Sequence, residues 1–516
     1  MTTQGAKAAR GVAAAAVAVG VAQLVGAAFG PQADVRTAVG SSVIERTPGP
    51  LKEWAIQTFG TADKLFLTVA VLVVVAALAI IAGIVETPRR PLGSAMIVAA
   101  GALGCAAVLS RPGAGVVDIV PTLVGAACGV AVLRFLTSRR FTGDGDGPDA
   151  QDDTQDDTQD RTDRGRRRSL ITLGLLVAGA ASGVAGVVIT RLTSSVSGDR
   201  NAFALPRITK SAAPIPADVQ PPEVALPSFV TANDEFYRID TALTVPQVSR
   251  EAWKLRIHGM VDREVTVDFA DLERFEVVER VVTLTCVSNP VGGELISNAV
   301  WTGYRVADLL AEAGVRPDAD MVLSTSVDGW TAGTPVEALT ADDALLAVGM
   351  NGQPLPIEHG YPARLVVPGL YGYVSATKWV TDLELTRFDR AEAYWTKLGW
   401  AARGPIKTES RIDIPRAGQD VTAGPNRFGG VAWAQKRGVR AVEVKMDDGE
   451  WQQATLGAAY SNDTWRLWSF DWQATPGFHT ITVRATDNSG YTQTPDRADP
   501  VPDGATGWHS ITFNVR

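Results

Sequence analysis

The sequence predicts three structural classes in succession: N-terminal transmembrane α-helices, a mixed α+β domain, and an all-β sandwich at the C-terminus. Three observations carry this reading. Residues 1–190 are rich in Ala, Val, Leu and Gly and nearly free of charge in long blocks, whereas residues 200–516 have ordinary soluble composition. From about 229 to 400, strand-like and helix-like periods alternate. Beyond about 405, only the two-residue strand period remains, broken by Gly, Pro, Asp and Asn turns.

Four apolar blocks, at about 11–30, 65–85, 92–110 and 116–136, each reach the roughly 20 residues that a bilayer requires, which makes 1–140 a four-helix transmembrane region. A fifth block, LITLGLLVAGAASGVAGVVIT at 170–190, carries no charge and places a fifth transmembrane helix within 169–190. One such block alone reads equally well as a buried core helix; five in one half of the chain do not. Lys7 and Arg10 precede the first span, Arg89 and Arg90 follow the second, and a run from Arg139 to Arg168 follows the fourth. Positive charge marks the cytoplasmic side, so everything after residue 190 is expected outside the cell membrane. Asp118, the one acid inside a span, lies near an outer end, where interfacial solvation accounts for it.

Segment 141–168 holds the tandem QDDT run followed by DRGRRR. Acidic, repetitive and low in aromatics, it reads as a disordered cytoplasmic linker. It contributes much of the net charge of −8, which therefore says little about what the outer half binds. No basic patch with interleaved aromatics occurs, so nucleic acid is not an expected partner. The arginine pair before the apolar run in RRSLITLGLL is a twin-arginine-like export signal, or else a plain positive-inside anchor.

The outer half opens with a Pro-rich stretch, 191–228, expected to be an extended tether. In 229–400, VVERVVTLTC, MVLSTSV and ARLVVPG read as strands, and YRVADLLAEAGV has helical spacing with a Gly stop. In 405–516, VRAVEVKMDD, WRLWSFDWQA, HTITVRATD and HSITFNV alternate apolar and polar positions, the spacing of an immunoglobulin-like antiparallel sandwich.

Of three cysteines, Cys105 and Cys128 lie inside spans and serve as small membrane residues. Cys286, in VVTLTCVSNPVGG, is the outer half's single thiol, so no disulfide is available to that half. It suits three roles: a nucleophile activated by a histidine such as His359, a soft metal ligand, or core filler. No second Cys or His stands at the spacing of a tetrahedral zinc site.

The words LTCVSNP, ISNAVWTGYRVADLLAEAGV and AVGMNGQPLPIEHGYPARLVVPGLYGYVSATKWV, in that order, resemble the molybdopterin domain of the sulfite oxidase family over roughly 229–400. The later β-rich region resembles that family's dimerisation domain. The resemblance implies a molybdenum–molybdopterin cofactor with Cys286 as the protein's thiolate ligand to the metal. It carries further positions over as cofactor contacts: Asn233 and Asp234 in FVTANDEFYRID, Asp328 in STSVDGW, His359 and Arg364 in HGYPARLVVPG, and Thr377 and Lys378 in SATKW. Trp301 matches an active-site tryptophan, and Trp400 takes the place of the tyrosine that approaches the metal. Ala232 and Val291 occupy places where sulfite oxidases offer arginines.

The leading expectation is a membrane-anchored, extracytoplasmic molybdopterin-dependent oxidoreductase. Its small-molecule substrate is an oxo-donor or oxo-acceptor other than sulfite, of the sulfoxide or N-oxide class. No C-x-x-C-H word occurs, and none of the four histidines lies in a span, so no haem is expected and a separate electron-transfer partner is. A homodimer through the C-terminal domain follows from the resemblance. The alternatives are a cysteine-dependent hydrolase using Cys286 and His359, and a non-catalytic surface protein whose molybdopterin fold is empty.

Overall fold

The computed structural model describes residues 3–48, 63–111, 114–142 and 157–516, together with 51, 54 and 58. The chain divides into two units, Met1–Ser195 with Ala242–Thr244, and Val196–Thr241 with Val245–Arg516.

The longer helices described in the first unit are α1 (Thr3–Gly26), α2 (Val35–Arg46), α3 (Asp63–Val85), α4 (Leu92–Leu109), α5 (Val120–Thr137) and α6 (Asp157–Ser194). All but α2 belong to the five helices that, among the described residues, are long and apolar enough to cross a membrane. Helix α1 packs against α3, α5 and α6, and it does so backbone to backbone. A Cβ on Gly20 would lie 1.9 Å from the carbonyl oxygen of Gly179, so glycine is required at that crossing. Where α3 ends, buried Glu86 accepts from the backbone N and hydroxyl of Ser94, both at 2.8 Å, and from Arg134 at 3.4 Å, which closes the first turn of α4.

Two expectations about connecting segments are corrected. Helix α6 starts at Asp157, so the latter part of 141–168 is helical rather than disordered; residues 143–156 lie outside the described residues. Once the apolar run nucleates a helix, extending it backwards through Arg and Gln is cheap.

The stretch 196–228 is likewise no free tether, because it is strapped across the second unit. The short α7 (Ser197–Ala202) presents Asp199 to Arg250 at 2.8 Å and to the Tyr361 hydroxyl at 2.6 Å. Farther along, Thr209 and Lys210 both donate to the Val277 carbonyl, Tyr460 donates to Ala213 O at 2.7 Å, and Val219 is buried. Proline fixes φ in the unfolded chain, which lowers the entropy lost when such a strap docks.

In the second unit, strands β1 (Lys254–Gly259) and β2 (Val265–Asp268) precede β3 (Val277–Thr285) and β4 (Ile296–Arg305). Helix α8 (Val306–Ala313) follows, capped by Gly314 at φ +71°. Then come β5 (Met321–Ser326), β6 (Thr331–Pro335), β7 (Leu345–Met350), β8 (Gln353–Pro354), β9 (Arg364–Val366) and β10 (Val380–Thr386). They form two sheets, β2-β1-β10-β5-β6 and β3-β4-β7-β8, with β9 paired to β7. A common core joins the sheets to α8, through Leu255, Leu309, Leu346, Leu365 and Leu383 among others.

The C-terminal strands are β11 (Glu409–Ile414), β12 (Asp420–Val421), β13 (Gly424–Trp433), β14 (Val439–Met446), β15 (Gln452–Gln453), β16 (Thr455–Leu456), β17 (Arg466–Ala474), β18 (Gly477–Asp487) and β19 (His509–Val515). They build a four-stranded sheet, β11-β13-β17-β16, and a five-stranded one, β12-β19-β18-β14-β15, over a shared apolar core. A further buried layer joins this region to the α+β part: Val287, Ile296, Tyr371 and Tyr373 meet Val431, Trp433, Trp465 and Leu467. Cys286 stands at the edge of that layer.

Candidate functional site

Strand β3 is buried at nearly every position and delivers Cys286 one residue past its end. The chain then turns tightly. Cys286 N donates to Leu295 O at 2.9 Å, Asn289 N donates to Cys286 O at 3.1 Å, and Leu295 N donates to Asn289 Oδ1 at 2.9 Å. Gly292, at φ +79°, lies against the His509 imidazole, where a Cβ would come within 2.3 Å of the ring. Arg411 Nη1 donates to Gly293 O at 2.9 Å. The C-terminal sheets thus hold the loop that carries the thiol.

Two tyrosines share the field of Cys286. Tyr237 has its phenol pushed well above the ordinary value by burial and by the Cys286 charge, with Arg364 opposing. Tyr371 is raised by burial, by Glu409 and, more weakly, by Cys286. Sequence reasoning missed both. The signal for Tyr237 was present, since it lies four residues beyond Asn233 in a loop already marked as contacting a cofactor. Trp400 packs on Tyr373 and Trp395, with centroids 5.8 and 6.2 Å away, in the shared buried layer, while the hydroxyls come from other elements.

Arg364, on β9, is 5 % exposed and donates only to backbone carbonyls: His359 O at 3.2 Å, Leu365 O at 3.3 Å and Ala376 O at 3.4 Å. Its guanidinium lies 5.1 Å over the Trp301 ring. Among the described residues no carboxylate pairs with it, and burial lowers its pKa to about 10. A buried guanidinium without a counter-anion is costly, and it suits a group bearing phosphate or another anion. Trp301 is fully buried and donates its indole N–H to Val282 O at 3.2 Å. It forms a floor beneath Arg364.

His359 sits beside this arginine, with Nε2 3.2 Å from Asn233 O and its ring edge-on to Phe236. Burial, then the charges of Arg364, Lys378 and Arg238, hold its pKa down to about 3. The imidazole is neutral at physiological pH, and it reports a net positive surrounding. Lys378 fits the anion-binding role less simply. Its ammonium is 2.7 Å from Asp240 Oδ2, which Arg238 also binds at 2.8 Å, so one carboxylate serves two cations. Burial lowers the Lys378 pKa to about 8, with Asp240 opposing. Asp240 is a second residue that sequence reasoning missed.

The remaining expected positions divide. Asn233 is tied in, its Oδ1 accepting from Asn351 Nδ2 at 2.8 Å. Thr377 is buried, its hydroxyl 2.6 Å from that of Ser324, and its carbonyl accepts from Leu365 N next to Arg364. Asp234 is exposed. Asp328 turns back on its own hairpin, accepting from Trp330 N at 3.2 Å. Asn233, His359, Arg364, Thr377 and Lys378 are therefore brought together, with Tyr237 linking Arg364 electrostatically to Cys286. Among the described residues no group of three or more His, Cys, Asp or Glu could hold a metal ion unaided. A lone thiolate suits a soft metal whose other ligands come with a cofactor, and the uncompensated Arg364 suits that cofactor's anionic part.

Comparison with known proteins agrees with this arrangement. The family model described as the oxidoreductase molybdopterin binding domain matches residues 242–395. The uncharacterized oxidoreductase YuiH of Bacillus subtilis (strain 168) is 35 % identical over 152 residues, which cover 30 % of this chain and 74 % of that protein. Mitochondrial sulfite oxidase of Homo sapiens is 28 % identical over 349 residues, covering 57 % of this chain and 63 % of its own length. The chain thus spans less than two thirds of the sulfite oxidase that it matches. Among solved structures, the sulfane dehydrogenase SoxCD from Paracoccus pantotrophus shares the fold, with TM-score 0.51 at 24 % identity over 57 % of this chain and 85 % of that one. The thiol at the end of β3, the unpaired buried guanidinium and these relatives agree: the chain belongs to the family of molybdopterin-binding oxidoreductases that includes the sulfite oxidases.

Proposed function

We propose that this protein is a membrane-anchored, extracytoplasmic oxidoreductase that uses molybdenum–molybdopterin to transfer oxygen to or from a small substrate other than sulfite. The observation that carries the cofactor reading is Arg364, a buried cation with backbone carbonyls and no carboxylate around it. When bound, the cofactor supplies a two-electron redox centre. Cys286 holds the metal through its thiolate. Arg364 binds the anionic part of the pterin, and neutral His359 orients the loop bearing Asn233 without adding charge. Tyr237 and Tyr371, both raised first by burial, keep their protons within the field of the thiolate.

The substrate reading rests on charge. Ala232 is exposed and Val291 half-buried where sulfite oxidases offer arginines. Arg411, the guanidinium that touches the Cys286 loop, is already paired with Asp413 at 2.8 Å. Each missing charge-assisted contact to a small dianion costs roughly 1.5–3 kcal/mol, so sulfite binding is expected to weaken by on the order of a hundredfold. Steady-state assays decide this, with sulfite oxidation set against reduction of sulfoxides and N-oxides from an artificial donor. Sulfite half-saturation in the micromolar range overturns the substrate reading.

The five apolar helices support anchoring in a lipid membrane, and the positive charge of their short loops supports an outer catalytic domain. A separate electron-transfer partner, an immunoglobulin-like topology for residues 405–516 and a homodimer through that region belong to the same proposal. A cysteine hydrolase is the weaker reading. His359 is held neutral by burial and neighbouring cations with a pKa of about 3, which makes it a poor general base.

A further inference from the structure

Glu409, at the start of β11, is 4 % exposed, and its Oε1 has no partner. In register across from it stands Trp433, whose buried indole N–H also has none. Two residues beyond Trp433, Gln435 donates through Nε2 to Thr283 O and Thr285 Oγ1, both at 3.3 Å, and leaves its Oε1 unsatisfied. Asn289 Nδ2, in the turn after Cys286, is the fourth such atom. Buried polar atoms are nearly always satisfied. Four orphans between the thiol's strand and β11 therefore point to ordered water along this seam, since water is what satisfies such groups in native interiors.

The Tyr371 hydroxyl accepts from Lys407 N at 3.4 Å and lies in the fields of both Glu409 and Cys286. Two residues before Glu409, Lys407 reaches the surface, where its Nζ pairs with half-exposed Asp503 at 2.9 Å.

We propose that Glu409 is the proton carrier between the Cys286 site and solvent, exchanging protons with the site through Tyr371 and the hydrated seam and with bulk water beside Lys407 and Asp503. The inference rests on the oxidoreductase reading above. Oxidising a substrate with oxygen from water releases two protons and two electrons; the reverse reaction consumes them. The electrons pass to or from a one-electron carrier protein. In the oxidising direction, each proton crosses the Tyr371 hydroxyl, which takes one and gives one up. Glu409 carboxylate takes the proton, becomes the acid, and returns to carboxylate on releasing it to water. Burial, opposed by Lys407, raises the Glu409 pKa to about 8, so the group exchanges protons near neutral pH. The titratable and charged groups facing it are Lys407 on its own segment and Tyr371 from the α+β part, with Asp503 beyond Tyr371.

The test uses the full-length, cofactor-loaded chain in detergent, as wild type, Glu409→Gln and Glu409→Asp. Molybdenum and pterin per chain are measured first. Proton uptake on reduction by dithionite is then followed with an indicator dye in weak buffer. Infrared difference spectra between about pH 6 and pH 10, on loaded and cofactor-free protein, report the carboxylic acid. The expected result is equal cofactor content in all three chains, with proton uptake about tenfold or more slower in Glu409→Gln and partly restored in Glu409→Asp. A titrating acid band is expected in the wild type and not in Glu409→Gln. Wild-type uptake by a loaded Glu409→Gln chain, or no such band in the wild type, overturns the relay alone. A folded wild-type chain without molybdenum overturns the proposed function and the relay with it.

Discussion

At the residue scale, the site is built from one unpaired cation and several groups held neutral. Replacing Arg364 with Met removes a desolvated charge and keeps most of its volume. Buried charges give way to apolar side chains at little cost, or with gain, so the cofactor-free Arg364→Met chain should be at least as stable as the wild type in urea. Its retained pterin should fall by roughly 10–100-fold, about 1.4–3 kcal/mol of lost charge-assisted binding. A variant that keeps full pterin content shows that the arginine does not hold the cofactor. The neutral imidazoles make a second prediction. His359 and His509 have folded pKa values of about 3 and about 4, both lowered first by burial. A depressed base binds fewer protons folded than unfolded, so stability is complete above the ordinary histidine value of about 6.5 and is lost as pH falls below it. Urea midpoints taken downward from about pH 7 should decline from about pH 6.5, and His509→Gln should flatten part of that slope. A pH-independent midpoint between about pH 6.5 and 4.5 contradicts both assignments.

At the element scale, the strap 196–228 is where sequence and structure differ most. Proline content reads as an extended linker because composition registers missing helix and strand, not docking. What fixes the strap is a set of single contacts from distant positions, such as Asp199 with Arg250 and Tyr361, and Tyr460 with Ala213, which no local period announces. Removing Asp199 with Ala leaves Arg250 and the Tyr361 hydroxyl short of a partner, at a cost of roughly 1–3 kcal/mol. Limited proteolysis should then cleave within 203–228 several times faster than in the wild type. Equal cleavage rates show that the strap is held elsewhere. By contrast, the five apolar helices and most outer strands were legible, because burial in lipid or in a sheet imposes a period on the sequence itself. Of the site, the cysteine, His359 and Arg364 were legible through their motif. Tyr371 and the proposed proton carrier Glu409 were not, since tertiary packing alone brings them near each other. The full burial of Trp301 was not legible either, because a motif records position and not depth.

At the scale of the whole molecule, helix α6 runs from Asp157 to Ser194 in the first unit, and the strap after it belongs to the second. The pair Arg167–Arg168 stands on that helix directly before its apolar run. If it serves as a folded-export signal, changing both to Lys keeps the positive-inside charge and should leave residues 200–516 on the cytoplasmic side, protected from protease in intact cells. Normal surface exposure of the double variant shows that charge alone sets the topology.

Cofactor content bears most directly on the central claim that Cys286 and Arg364 together hold a molybdenum–molybdopterin group. Full-length protein purified from its membrane should contain about one molybdenum and one pterin per chain. Cys286→Ser should stay folded, with activity lost and the metal weakened far more than the pterin, because a serine oxygen is a harder ligand than a thiolate. A folded wild-type chain with neither metal nor pterin, or a Cys286→Ser chain with wild-type metal and turnover, contradicts the account.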